Sequence, residues 1–111
     1  MSKTGIRAYD AARYLKDEAD CAGYLRAVME DDGVTEKEIA SALGDIARAR
    51  GMVRVAREAG VSREALYRAL SDEGNPTLGT ILKVTRALGL RLTVSEKRKG
   101  ASEKGPEGIS V

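Results

Sequence analysis

The sequence predicts an all-α domain of five to six short helices, closed by one short strand and a charged tail. Three observations carry that expectation. Apolar residues recur at helical spacing through most of the chain, from Cys21 to Leu88. The 111 residues are 42% hydrophobic but include no Trp, no Phe and four Tyr, so the core must be aliphatic and alanine-rich. Small aliphatic side chains suit close helix packing. Lastly, two helical patterns flank Gly60-Val61-Ser62 within Met52 to Leu70, MVRVAREAGVSREALYRAL, which is the spacing of a helix-turn-helix.

The elements follow in order. Residues 1–8 carry no periodicity and read as a loosely held arm. Asp10 to Leu15 makes a short helix with Tyr9, Ala12 and Leu15 on one side. Asp17 or Asp20 caps a longer helix to about Glu30, with Cys21, Leu25, Val28 and Met29 on one face. Within that stripe Cys21 reads as a small buried hydrophobe. Glu30-Asp31-Asp32-Gly33 ends the helix, and its acids are either a solvated loop or a docking surface. Thr35 with Glu38 forms a capping box, opening a helix whose inner stripe is Ile39, Leu43, Ile46 and Ala47. Arg48 and Arg50 sit at its negative end, and Gly51 stops it.

The motif helix from Met52 to Ala59 begins at once. Gly60 stops it by entering the left-handed conformation, and Ser62 caps the next helix. Val55, Ala59, Val61, Leu66 and Ala69 face each other across the corner, with Ala56 small where the helices approach. The second motif helix turns Arg63, Glu64, Tyr67 and Arg68 outward. Ser71 to Thr77 is dense in turn residues, and Thr77 caps a helix with Leu78, Ile81, Leu82, Thr85 and Leu88 inside. Lys83 and Arg86 fall outside, and Gly89 ends the helix. From Leu90 the period changes to two, with Leu90, Leu92 and Val94 on one face. A lone strand leaves both edges unpaired, so it pairs with the same strand of a second copy or lies as an extended tail. From Ser95 the chain is charged and Gly-rich, the composition of a disordered tail. The expected division is therefore an acidic helical segment over 1–34, a helix-turn-helix DNA-binding domain with terminal strand over 35–94, and the tail over 95–111.

The net charge of +2 hides an asymmetry. Residues 1–47 hold six Lys/Arg against ten Asp/Glu, and residues 48–95 hold nine against four. A basic half containing the motif fits phosphate contact, unless these are merely solvated helix faces. No apolar run reaches membrane-spanning length, and no signal-peptide core is present at the start. One cysteine allows no internal disulfide, which agrees with a reducing cytoplasm. Without histidine or a second cysteine the sequence offers no finger-type zinc site and lacks the commonest general base. No Gly-rich phosphate loop accompanies the carboxylates of Asp31, Asp32 and Asp45, so neither a cofactor nor catalysis is expected.

With Ala56, Gly60, Val61, Ser62 and Leu66 in register, the motif resembles the Xre/phage-repressor family of helix-turn-helix proteins. Gly74-Asn75-Pro76-Thr77 and Leu82 to Leu90 continue that resemblance. A narrower similarity covers Tyr9-Asp10, Ala12 to Leu15, Ala42 to Met52, Leu66 to Ser71 and Gly89 to Leu92. These stretches resemble addiction-module antidote proteins, the HigA-type antitoxins of bacteria and phages. The chain is about two residues shorter than the general repressor pattern between Gly51 and Ala56. Met52-Val53-Arg54 there replaces the common Thr-Gln pair, which puts Arg54 in the phosphate-gripping place. By the same resemblance, Arg63, Glu64 and Arg68 read bases, while Ser62, Tyr67 and Asn75 lie near phosphates.

The resemblance implies an antitoxin that neutralises a RelE/HigB-like ribonuclease toxin and, as a homodimer, represses its own operon at a palindromic double-stranded operator. Leu90, Leu92 and Val94 are then the dimerisation strand. A basic toxin would find the acidic half complementary, with Tyr14, Tyr24, Glu30, Asp31 and Asp32 the candidate toxin-facing residues. The alternatives are a stand-alone Xre-type repressor without a toxin partner, and a toxin-sequestering module without DNA binding. Arg63 and Glu64 have a plainer reading as an exposed pair at a helix start.

Overall fold

Helix starts and stops follow the capping residues. The computed structural model describes residues 13–71 and 73–97. They form α1 (Glu18–Met29), α2 (Glu36–Arg50), α3 (Met52–Ala59), α4 (Arg63–Ala69) and α5 (Leu78–Ala87). The fold is all-helical, with no strand among the described residues. The arm over 1–8, most of the Asp10–Leu15 helix and the tail beyond Lys97 lie outside them. Of that first helix, Arg13 and Tyr14 are described and helical, and Leu15 is buried.

Asp17 is the cap of α1, its side chain accepting the Asp20 N–H at 2.9 Å. Asp20 instead accepts the Lys16 N–H at 3.0 Å, so both expected candidates are used, each for a different donor. Thr35 and Glu38 form the reciprocal capping box of α2. Ser62 accepts the Ala65 N–H at 3.0 Å, and Thr77 accepts the Thr80 N–H at 3.1 Å. Gly60, at φ 77°, closes α3 as expected: its N–H donates to the Arg57 carbonyl and that of Val61 to the Ala56 carbonyl.

α3 is the hub, packing against α2, α4 and α5, while α1 packs against α2. One cluster joins Leu15, Cys21 and Leu25 to Leu43, Ile46, Val55, Leu66, Leu70, Val84 and Leu88. The aliphatic, alanine-rich core is as expected, with Ala42, Ala47 and Ala56 in it. On α5 the buried arc is rotated relative to the expected stripe. Val84 is buried instead of Leu78, which stands 66% exposed in the first turn, where the helix has not yet met the core. Thr85 is buried because its hydroxyl donates back to the Leu82 carbonyl at 3.0 Å, satisfying the polar group inside the helix. Met29, expected inside, is 42% exposed in the last turn of α1.

The expected strand at Leu90, Leu92 and Val94 is absent: residues 90–97 have no regular structure. The alternation is real in the sequence, but a ladder needs a second strand and the described chain supplies none. Leu90 packs half-buried against the core, its N–H donating to the Thr85 carbonyl at 2.8 Å, and Val94 is 93% exposed.

At Gly44, α2 lies tight against the residue that ends α4, Leu70. A Cβ there would lie 2.9 Å from the Leu70 carbonyl oxygen and 3.2 Å from Arg48 Nη2. Gly→Ala inside an unobstructed helix stabilises by about 0.5–1 kcal/mol. At Gly44 overpacking reverses the sign, and Gly44→Ala should cost about 1–3 kcal/mol. A thermal melt showing a raised Tm for that variant would refute the close approach.

Candidate nucleic-acid interface

On α3 the buried side chains Met52, Val55, Ala56 and Ala59 occupy one arc. Helical rotation then leaves Val53, Arg57, Arg54 and Glu58, in that angular order, on the outward arc, and all four are exposed. α4 repeats the pattern on a smaller scale. Leu66 is fully buried, whereas Arg63, Glu64, Tyr67 and Arg68 are exposed. The two helices are fixed to each other by the Gly60 turn and the Ser62 cap. The arginine pairs of both arcs are thus carried on one corner, joined by a three-residue turn.

Local chemistry separates structural arginines from available ones. Arg48 is held 3.3 Å from the buried Asp45 carboxylate, which also accepts the Tyr24 hydroxyl at 2.7 Å. Arg50 donates to the Lys16 carbonyl and lies 4.0 Å from Glu18 Oε2. Arg50 and the Tyr24–Asp45 bond tie α1 to α2, while Arg48 supports Asp45 from within α2. No carboxylate among the described residues pairs with Arg54, Arg57, Arg63 or Arg68. The Arg63 guanidinium stands 5.7 Å from the Tyr67 ring centroid, a cation–π arrangement that holds both outward. An exposed corner with unpaired guanidiniums and one aromatic ring suits a polyanion with groove edges.

The sequence-selected residues fall into three places. Arg54, Ser62, Arg63, Glu64, Tyr67 and Arg68 share the α3–α4 corner, and Asn75 is exposed in the loop after α4. Leu90, Leu92 and Val94 lie together beyond α5. The candidate toxin-facing residues are not brought together. Tyr14, 60% exposed, precedes α1, and Glu30, Asp31 and Asp32 follow it. The 12 residues of α1 set them roughly 18 Å apart. Tyr24 is half-buried and bonded to Asp45. Sequence reasoning passed over Arg57, although its spacing of three from Arg54 marks it as a neighbour on the same arc. It also missed the Tyr24–Asp45–Arg48 and Arg50–Lys16–Glu18 ties. Tyr24–Asp45 and Lys16–Arg50 lie 21 and 34 positions apart, beyond the reach of local patterns, whereas Asp45–Arg48 is an ordinary i,i+3 helical pair.

Cys21 is buried as expected. Burial pushes its thiol above the ordinary range against the opposing pull of Arg50, which suits a packing role over a nucleophilic one. Among the described residues no cluster of three or more Asp, Glu, Cys or His is arranged to hold a metal. None of the described helices is long and apolar enough to cross a membrane.

Comparison with known proteins adds a family to this geometry. The family model described as "Probable addiction module antidote protein" matches residues 5–96. A Haemophilus influenzae protein described as "Uncharacterized protein" is 46% identical over 93 residues, covering 84% of this chain and 94% of its own length. No solved structure matches the chain. The match spans every described helix and runs through the α3–α4 corner, so this chain belongs to the family of addiction module antidote proteins.

Proposed function

We propose that the chain is the antitoxin of a type II toxin–antitoxin module, which neutralises a RelE/HigB-like ribonuclease toxin and represses its own operon as a DNA-binding dimer. The observation that carries the DNA arm of this reading is the outward α4 face. Arg63, Glu64, Tyr67 and Arg68 are exposed there while Leu66 behind them is buried. Arg63 and Arg68 have no carboxylate partner among the described residues. The corner is the phage-repressor type of helix-turn-helix in this reading, with α4 in the major groove. Arg63 or Arg68 takes a guanine bidentately, Glu64 accepts from cytosine, and Arg54, Ser62, Tyr67 and Asn75 lie near phosphates.

Membership of the antidote family supports a toxin partner in general and a regulatory role in place of a catalytic one. Leu90, Leu92 and Val94 pair with the same segment of a second copy, which supplies the missing ladder and spaces two α4 helices about 34 Å apart. The acidic residues Glu30, Asp31 and Asp32, together with Tyr14, face the basic toxin.

Co-expression with the adjacent open reading frame tests the whole reading. The expected result is a stable complex with a small basic protein, of which the antidote dimer also shifts a duplex from upstream of its own gene. Co-purification without any duplex binding would remove the repressor arm. Duplex binding without a partner would leave a stand-alone repressor.

A further inference from the structure

We propose that Arg57 is a second phosphate-contacting residue, acting with Arg54 as a pair along the outward arc of α3. The inference rests on the DNA-binding reading above and extends it to a residue outside the motif's usual reading set. Three observations support it. Arg57 is exposed and has neither an ion pair nor a side-chain hydrogen bond among the described residues, unlike Arg48 and Arg50 on the preceding helix. It lies one turn from Arg54, and the two occupy the middle of the arc between Val53 and Glu58. The opposite arc of α3 is consumed by packing, so neither side chain is needed to hold the fold.

Position adds a geometric reason. The Arg57 carbonyl accepts the Gly60 N–H at the end of α3, immediately before the turn into α4. Arg57 thus stands in the last turn of α3, exposed, five and six positions before Ser62 and Arg63. Arg54 and Arg57 are spaced to meet neighbouring phosphates while α4 meets base edges. Such contacts position the protein without reading sequence. A purely structural Arg57 would do something else: as a cation in the last turn it would favour the helix dipole and leave DNA untouched.

The test is salt-dependent titration of the full chain with two duplexes, one from upstream of its own gene and one of scrambled sequence. Arg57→Gln should flatten the slope of log K against log salt by about 0.9 per protomer on both duplexes. The ratio between the two duplexes should stay unchanged, and Arg57→Lys should retain the slope. An unaltered slope in Arg57→Gln, with wild-type binding intact, overturns the proposal. So does a changed ratio between the duplexes, which would make Arg57 a base reader. A lowered Tm with an unaltered slope assigns it to the helix dipole and also overturns it. Failure of the wild-type chain to bind either duplex is a different result, and it sinks the DNA-binding reading itself.

Discussion

Leu66→Ala should cost about 2–5 kcal/mol of folding stability, the range for truncating a fully buried leucine. Against a total of about 5–15 kcal/mol for a small domain, that is a large share. The site suffers most. α4 has seven residues, far short of the about 12–15 an isolated helix needs to persist in water. Its order comes from Leu66 and the following Leu70, both buried, together with the Ser62 cap. Emptying the Leu66 position should therefore loosen the helix that carries Arg63, Tyr67 and Arg68. Urea denaturation is the check: the midpoint falls for Leu66→Ala and moves much less for the volume-conserving Leu66→Met. An unmoved midpoint in the alanine variant would mean that α4 is not held by this contact.

Arg68→Ala should separate binding from folding. Its side chain is exposed, so stability should stay within about 0.5 kcal/mol of the parent. Loss of a bidentate base contact, by contrast, removes roughly 1–3 kcal/mol of discrimination, or about 5- to 150-fold. The measurement is the ratio of affinities for the upstream and scrambled duplexes. A ratio equal to the parent's would strike Arg68 from the base readers. A fall on both duplexes together would place it on phosphate.

Much of the fold was legible because it is written locally. Thr35 with Glu38, Ser62, Gly60 and Thr77 each serve backbone groups within three or four positions, so spacing alone locates them. The same locality made the exposed face of α4 readable, since one buried Leu66 fixes the rotation of a short helix. What failed was nonlocal. The choice between Leu78 and Val84 on α5 depends on where that helix meets α3, which periodicity does not encode. The alternation of Leu90, Leu92 and Val94 was visible, but strand formation depends on a partner that the described chain does not contain. Arg48 and Arg50 were readable as helix-end charges. Arg48 pairs within its own helix, with Asp45, whereas the use of Arg50 on the Lys16 carbonyl and Glu18 follows from the way α1 lies across α2.

The Glu18 side chain also lies against the bare backbone of Gly89, where an added Cβ would sit 3.0 Å from its Cγ. The start of α1 thus lies against the turn that follows α5. A pull on the residues before Glu18 or after Gly89 would load this contact from both sides, together with Leu15 and Leu90, which anchor the two ends to the core. Arg50, reaching the same Glu18 carboxylate, thus joins the end of α2 to the place where the start of α1 and the turn after α5 meet.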